Sequence, residues 1–152
     1  MTLRGATLAL AGLALAACAN DLVVEHAADR EVKVHSVNLQ YAEKTQGVPA
    51  PIASYLRLRM DDSLYSRDPA FGRGGDLTVR YWLASARRGN RLSRFLLGSK
   101  TVLEAEIVGP QGAVLVRVRS QEDISLLPGA SSIAIDRAVA EVRKYLIAHF
   151  QR

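Results

Sequence analysis

Apolar and polar positions alternate in four stretches of this chain and recur near every 3.6 residues in two others, so the pattern predicts four strands and two helices. The first strand is expected over Glu31 to Tyr41. Val32 and Val34 share one phase and Val37, Leu39 and Tyr41 the other, which places a β-bulge near His35 and Ser36. Gly47-Val48-Pro49-Ala50-Pro51 then breaks the strand and sets proline at a helix start, where a missing N–H is harmless. A helix from Ala50 to Ser66 carries Ile52, Tyr55, Leu56, Met60 and Leu64 as its apolar stripe, with Arg57, Arg59, Asp61 and Asp62 off it. Ser66 to Gly75 reads as a loop. Asp76 to Ala86 alternates most cleanly, with Leu77, Val79, Tyr81 and Leu83 on one face and Thr78, Arg80, Trp82 and Ala84 on the other.

Further on, Lys100 to Val108 and Ala113 to Ser120 flank Gly109-Pro110-Gln111-Gly112, the composition of a β-hairpin. Glu104 and Glu106 are placed to pair with Arg117 and Arg119 across it, each exposed pair contributing under about 1 kcal/mol. A second helix is expected from an N-cap at Ser131 or Ser132 to Phe150. Ile135, Ala138, Val139, Val142, Leu146 and Phe150 form its buried stripe. These elements predict a two-layer α+β domain in the order β-α-β-β-β-α. Its sheet would be mixed and four-stranded, two helices would lie mainly on one face, and the first strand–helix–strand unit would cross right-handedly. The opposite sheet face would hold Arg80, Trp82, Arg117 and Arg119, with Trp82 either a partner-contact aromatic or a ring covered by a loop.

The first thirty residues follow a different rule. Arg4, the apolar run Ala6 to Leu15 and the small pair Ala16-Ala17 are the three parts of an export signal. About ten apolar residues make about 15 Å of helix, too short for a bilayer core of about 30 Å. Leu15-Ala16-Ala17-Cys18 resembles the lipobox of bacterial lipoproteins. That resemblance implies cleavage between Ala17 and Cys18, a diacylglyceryl group on the Cys18 sulfur, and often a further acyl chain on the new amino terminus. It also accounts for a solitary cysteine in an exported chain, which has no intramolecular disulfide partner. Two or three acyl chains hold a protein at a membrane almost permanently, where one holds it marginally. In such lipoproteins Asp after the cysteine favours the inner membrane. The residue here is Ala19, which points to the outer membrane, facing the periplasm. The expected organisation is a signal peptide over 1–17, a lipidated tether over 18–30, in which Leu22 to Val24 could add an edge strand, and one periplasmic α+β domain over 31–152.

Charge changes the picture little. The whole chain carries +5, and loss of Arg4 with the signal leaves +4, enough to tolerate anionic lipid or glycan but not to require it. Export excludes nucleic acid as a partner. The charge is concentrated in one place: Arg87, Arg88, Arg91 and Arg94 fall within eight residues, interleaved with Leu92, Phe95 and Leu96. This segment is either a basic amphipathic contact element or a connection whose apolar side plugs the core.

Tyr81 through Arg119 carries a second resemblance. Gly89-Asn90-Arg91, then Arg94-Phe95-Leu96-Leu97-Gly98, then a hairpin around Gly112 is similar to a group of small bacterial envelope lipoproteins catalogued as a domain of unknown function. Relatives continue with further glycines where this chain has Gly98-Ser99-Lys100-Thr101. The resemblance implies the element order and a lipoprotein, and no defined activity.

Catalytic sets are thin. His26, His35 and His149 lack metal-ligand spacing, no Gly-x-Ser-x-Gly or His-Glu-x-x-His occurs, and an acylated Cys18 is no nucleophile. Asp61 and Asp62 point about 100° apart on a helix. The glycine run Gly72-Arg73-Gly74-Gly75 precedes a strand rather than the helix that a phosphate cradle wants. The expectation is therefore a non-catalytic accessory lipoprotein without a dissociable cofactor, anchored for contact with an envelope assembly. A lipoprotein gripping an anionic glycan or lipid through Arg87, Arg88, Arg91 and Arg94 is the first alternative, and a periplasmic hydrolase the second.

Overall fold

Leu77–Ala86, the most regular alternating stretch, is the strand on which the others are laid. The computed structural model describes residues 21–27, 32–46, 48–66, 68–86, 99–124 and 130–152. Its elements in chain order are β1 (Asp21–Ala27), β2 (Ser36–Tyr41), α1 (Ala50–Tyr65), β3 (Gly72–Arg73), β4 (Leu77–Ala86), β5 (Ser99–Val108), β6 (Val114–Ile124) and α2 (Ala130–Phe150). They form an α+β fold with one mixed sheet in the order β1-β6-β5-β4-β2-β3. β2 runs parallel to both β3 and β4, and the remaining pairs are antiparallel.

Among the described residues the sheet has six strands, where periodicity predicts four. β1 lies in the stretch expected as a tether with a possible edge strand at Leu22 to Val24, and it pairs with β6 from Asp21 opposite Gln121 to Ala27 opposite Val116. A register shift between Val24 and His26 breaks its period of two, which hides its continuation to Ala27 from pattern reading. β3 is two residues of the glycine loop, drawn against β2 because Gly74 has no side chain; a Cβ there would collide with Ser36. The expected bulge near His35 is instead a break. Val34 makes a separate bridge to Gln151 beyond α2 and donates its N–H to the Phe150 carbonyl at 2.8 Å, and β2 begins two residues later.

Both apolar stripes meet one sheet face. Leu56, Met60 and Leu64 of α1 and Ile135, Ala138, Val139, Val142 and Leu146 of α2 join Val37, Leu77, Val79, Leu83, Leu103, Ile107 and Val118 in a single core. Polar ties fix the helix pair: Tyr55 Oη and Arg59 Nε donate to Asp136 Oδ1 at 2.9 and 2.6 Å, and Arg143 Nε donates to the Ser63 carbonyl at 2.7 Å.

Topology gives the molecule two distinct ends. The start of β1, the ends of β2, β4 and β6, the start of β5 and the first turns of both helices lie at one end. The β5–β6 turn, β3 and the last residues of α2 lie at the other. No described helix is long and apolar enough to cross a membrane.

Candidate functional site

The sheet face turned away from the helices carries charge in register. Arg80, Glu106 and Arg117 stand in one row across β4, β5 and β6, and Trp82, Glu104 and Arg119 in the next. The alternation predicted these faces correctly, but not how deeply they are covered. The Glu106 side chain is 7% exposed, against 44% for Arg117. Arg117 Nη2 donates to one Glu106 oxygen at 2.5 Å. Lys44 Nζ, from the segment after β2, donates to the other at 3.3 Å. Desolvation alone would raise the Glu106 pKa; hydrogen bonds from Arg117 and Lys44 outweigh it and hold the carboxyl below its ordinary range. The same bond raises the Arg117 pKa.

Lys44 Nζ also lies 3.6 Å from the Trp82 ring centroid, so one ammonium serves a carboxylate and an aromatic face together. Trp82 is 6% exposed. Its ring belongs to this cluster, the covered one of the two arrangements expected for it. Glu104 and Arg119 make a looser pair at 3.7 Å. A carboxylate kept ionised between two cations neither gives nor takes a proton readily near neutral pH, so this cluster acts as a clasp between the post-β2 segment and the sheet. The Thr45 hydroxyl adds a bond to the Ala84 carbonyl at 3.4 Å.

Among the described residues, hollows lie at both ends of the core. One, of about 340 Å³, lies where β2 ends and α1 begins, between Tyr41, Thr45, Val48 and Arg57. The Arg57 guanidinium sits 4.5 Å over the Tyr41 ring and 3.6 Å from Glu43, so its charge is already matched. Tyr41 meets Tyr81 edge-on at 5.7 Å, and burial pushes the Tyr81 phenol up to about 12. The other hollow, about 320 Å³, lies at the opposite end between Val34, His35, Phe71 and Gln151.

Of the residues singled out from sequence, Ala17, Cys18, Arg87, Arg88, Arg91 and Arg94 lie outside the described residues. Asp61 and Asp62 take different partners: Arg73 Nη2 at 2.7 Å and the Ser66 hydroxyl at 3.2 Å. His149 stacks on Tyr145, with ring centroids 4.3 Å apart. Among the described residues no group of three His, Cys, Asp or Glu side chains is placed to hold a metal ion. The glycine run spends its backbone donors on the fold, Gly72 N–H on the His35 carbonyl and Gly74 N–H on the Val37 carbonyl. Lys44 is the member of the charge cluster that sequence reasoning missed. It follows a strand end with no periodicity around it and meets Glu106 sixty-two residues away.

No family model matches the chain, and no curated protein matches it. Among solved structures it is similar to the PelC L103M dodecamer from Paraburkholderia phytofirmans, at 13% identity and a TM-score of 0.45 over 87% of this chain and 98% of that one. A second crystal form of the PelC dodecamer from the same organism aligns at 12% identity and a TM-score of 0.45, over 87% of this chain and 99% of that one.

Proposed function

We propose that this chain is a non-catalytic accessory lipoprotein, held by acyl chains on Cys18 at the periplasmic face of the outer membrane, that presents its α+β domain to an envelope assembly. The observation that carries the reading is Leu15-Ala16-Ala17-Cys18 after an apolar run too short to span a bilayer. Ala19, rather than Asp, supports the outer membrane. Intact mass and membrane fractionation of the natively expressed protein, beside Cys18→Ala, test the anchor. A mass carrying acyl chains in the outer membrane, with the variant unprocessed or misplaced, is the expected result. An unacylated protein in the soluble periplasm refutes it. Crosslinked envelopes should then yield a reproducible partner.

A second reading, binding of an anionic glycan or lipid through Arg87, Arg88, Arg91 and Arg94, is favoured by the density of those arginines between β4 and β5. Replacing all four by Gln should abolish such binding while leaving the far-ultraviolet spectrum unchanged; retained binding would end this reading.

A further inference from the structure

We infer that the end of the domain at which β1 begins rests against the headgroup layer of the membrane that holds the Cys18 lipid, while the β5–β6 turn points away from it. This inference rests on the anchor reading and adds an orientation to it. Residues 18–30, expected as a short lipidated tether with a possible edge strand at Leu22 to Val24, contain β1, which pairs with β6 from Asp21 onward. Three residue steps separate Cys18 from Asp21, a reach of at most about 11 Å. The headgroup region of one leaflet is itself about 5–7 Å thick. A thioether lipid in that leaflet therefore leaves the start of β1 almost no room to stand off.

What the sheet places beside that start follows from its register. The β4 and β6 ends, the segment after β2 and the first turns of α1 and α2 share this end. Their exposed groups suit a headgroup boundary. Pro49, Ala50 and Pro51 are exposed at the start of α1, and Ile133, in the first turn of α2, is 53% exposed. The nearby charges Glu43 and Arg57 pair with each other. Glu25, exposed farther along β1, disfavours laying the whole strand edge flat on an anionic surface. Ten residues of β5 carry the sheet about 34 Å from that end to the hairpin turn, well outside a headgroup layer.

The test uses the full chain with its native lipid, reconstituted in vesicles of phosphatidylethanolamine and phosphatidylglycerol that contain headgroup-nitroxide lipid. Ala50→Cys and Gln111→Cys each receive one fluorophore, since an acylated Cys18 does not react, and intact mass is recorded for each preparation. Both sites are exposed, and neither belongs to the core. The expected result is quenching at position 50 about threefold or more stronger than at position 111, because nitroxide quenching acts over a distance shorter than the sheet. Equal quenching, absent quenching at both sites, or stronger quenching at 111 in acylated protein overturns the orientation and leaves the anchor standing. A mass without acyl chains overturns the anchor itself, and the orientation with it.

Discussion

Glu106→Gln removes one charge and almost no volume from the second sheet face. In the native cluster the carboxylate accepts from Arg117 at 2.5 Å and from Lys44 at 3.3 Å while only 7% of its side chain is exposed. Hydrogen bonds to ionised groups contribute about 1.5–3 kcal/mol each where both partners are buried. Arg117 and Lys44 are 44% and 45% exposed, so water recovers much of what they lose, and the expected destabilisation is about 1–2 kcal/mol for the pair together. Urea unfolding followed through Trp82 measures it. Trp82 is the sole tryptophan and lies beneath Lys44, so its emission reports this cluster as well as global unfolding. The pH dependence gives a second check. The folded carboxyl sits below its ordinary range, so its stabilisation is complete above the unfolded value of about 4.3 and is lost as pH falls through the folded one. The gap between wild type and Glu106→Gln should therefore be full at pH 7 and close below about pH 4. A variant within about 0.3 kcal/mol of wild type at pH 7, or a gap undiminished at pH 3, would refute the clasp, since an ionised buried partner must show both effects.

Two further substitutions test the packing. Leu146→Ala, at a fully buried position of α2 facing the sheet, should cost about 2–5 kcal/mol and lower the thermal midpoint by roughly 10 °C, read by calorimetry. Gly74→Ala should cost about 1–3 kcal/mol because its Cβ meets Ser36, whereas Gly75→Ala meets nothing and should be neutral or slightly stabilising. Equal effects at the two glycines would contradict the close approach of β3 to β2.

Elements with an unbroken period were legible in the sequence. β4, the β5–β6 hairpin and both helix stripes lie where alternation and 3.6-residue spacing put them, and Glu106 and Glu104 do oppose Arg117 and Arg119. β1 was legible only as a possible edge at Leu22 to Val24 because its register shifts midway, and β3 was obscured because two residues carry no period at all. Depth of burial was the larger gap. Glu106 was expected as half of an exposed pair, yet it is covered by Lys44 from a segment sixty-two residues away. Periodicity assigns a residue to a face; it holds no information about which distant side chain folds over that face. The same limit applies to Trp82, over whose ring Lys44 from that same segment is placed.

The pairing of β1 with β6 has a mechanical consequence. The two strands are antiparallel, so the amino-terminal end of β1 and the amino-terminal end of β6 lie at opposite ends of the sheet. If a lipid draws β1 toward the membrane and a partner draws on the hairpin turn, the load pulls the two strands past one another along their length. Six registered residue pairs then resist together rather than opening one after another. Traction between membrane and partner would meet the sheet in its stiffest direction, in shear, and a peeling force applied across the outer edge of β1 would meet far less resistance.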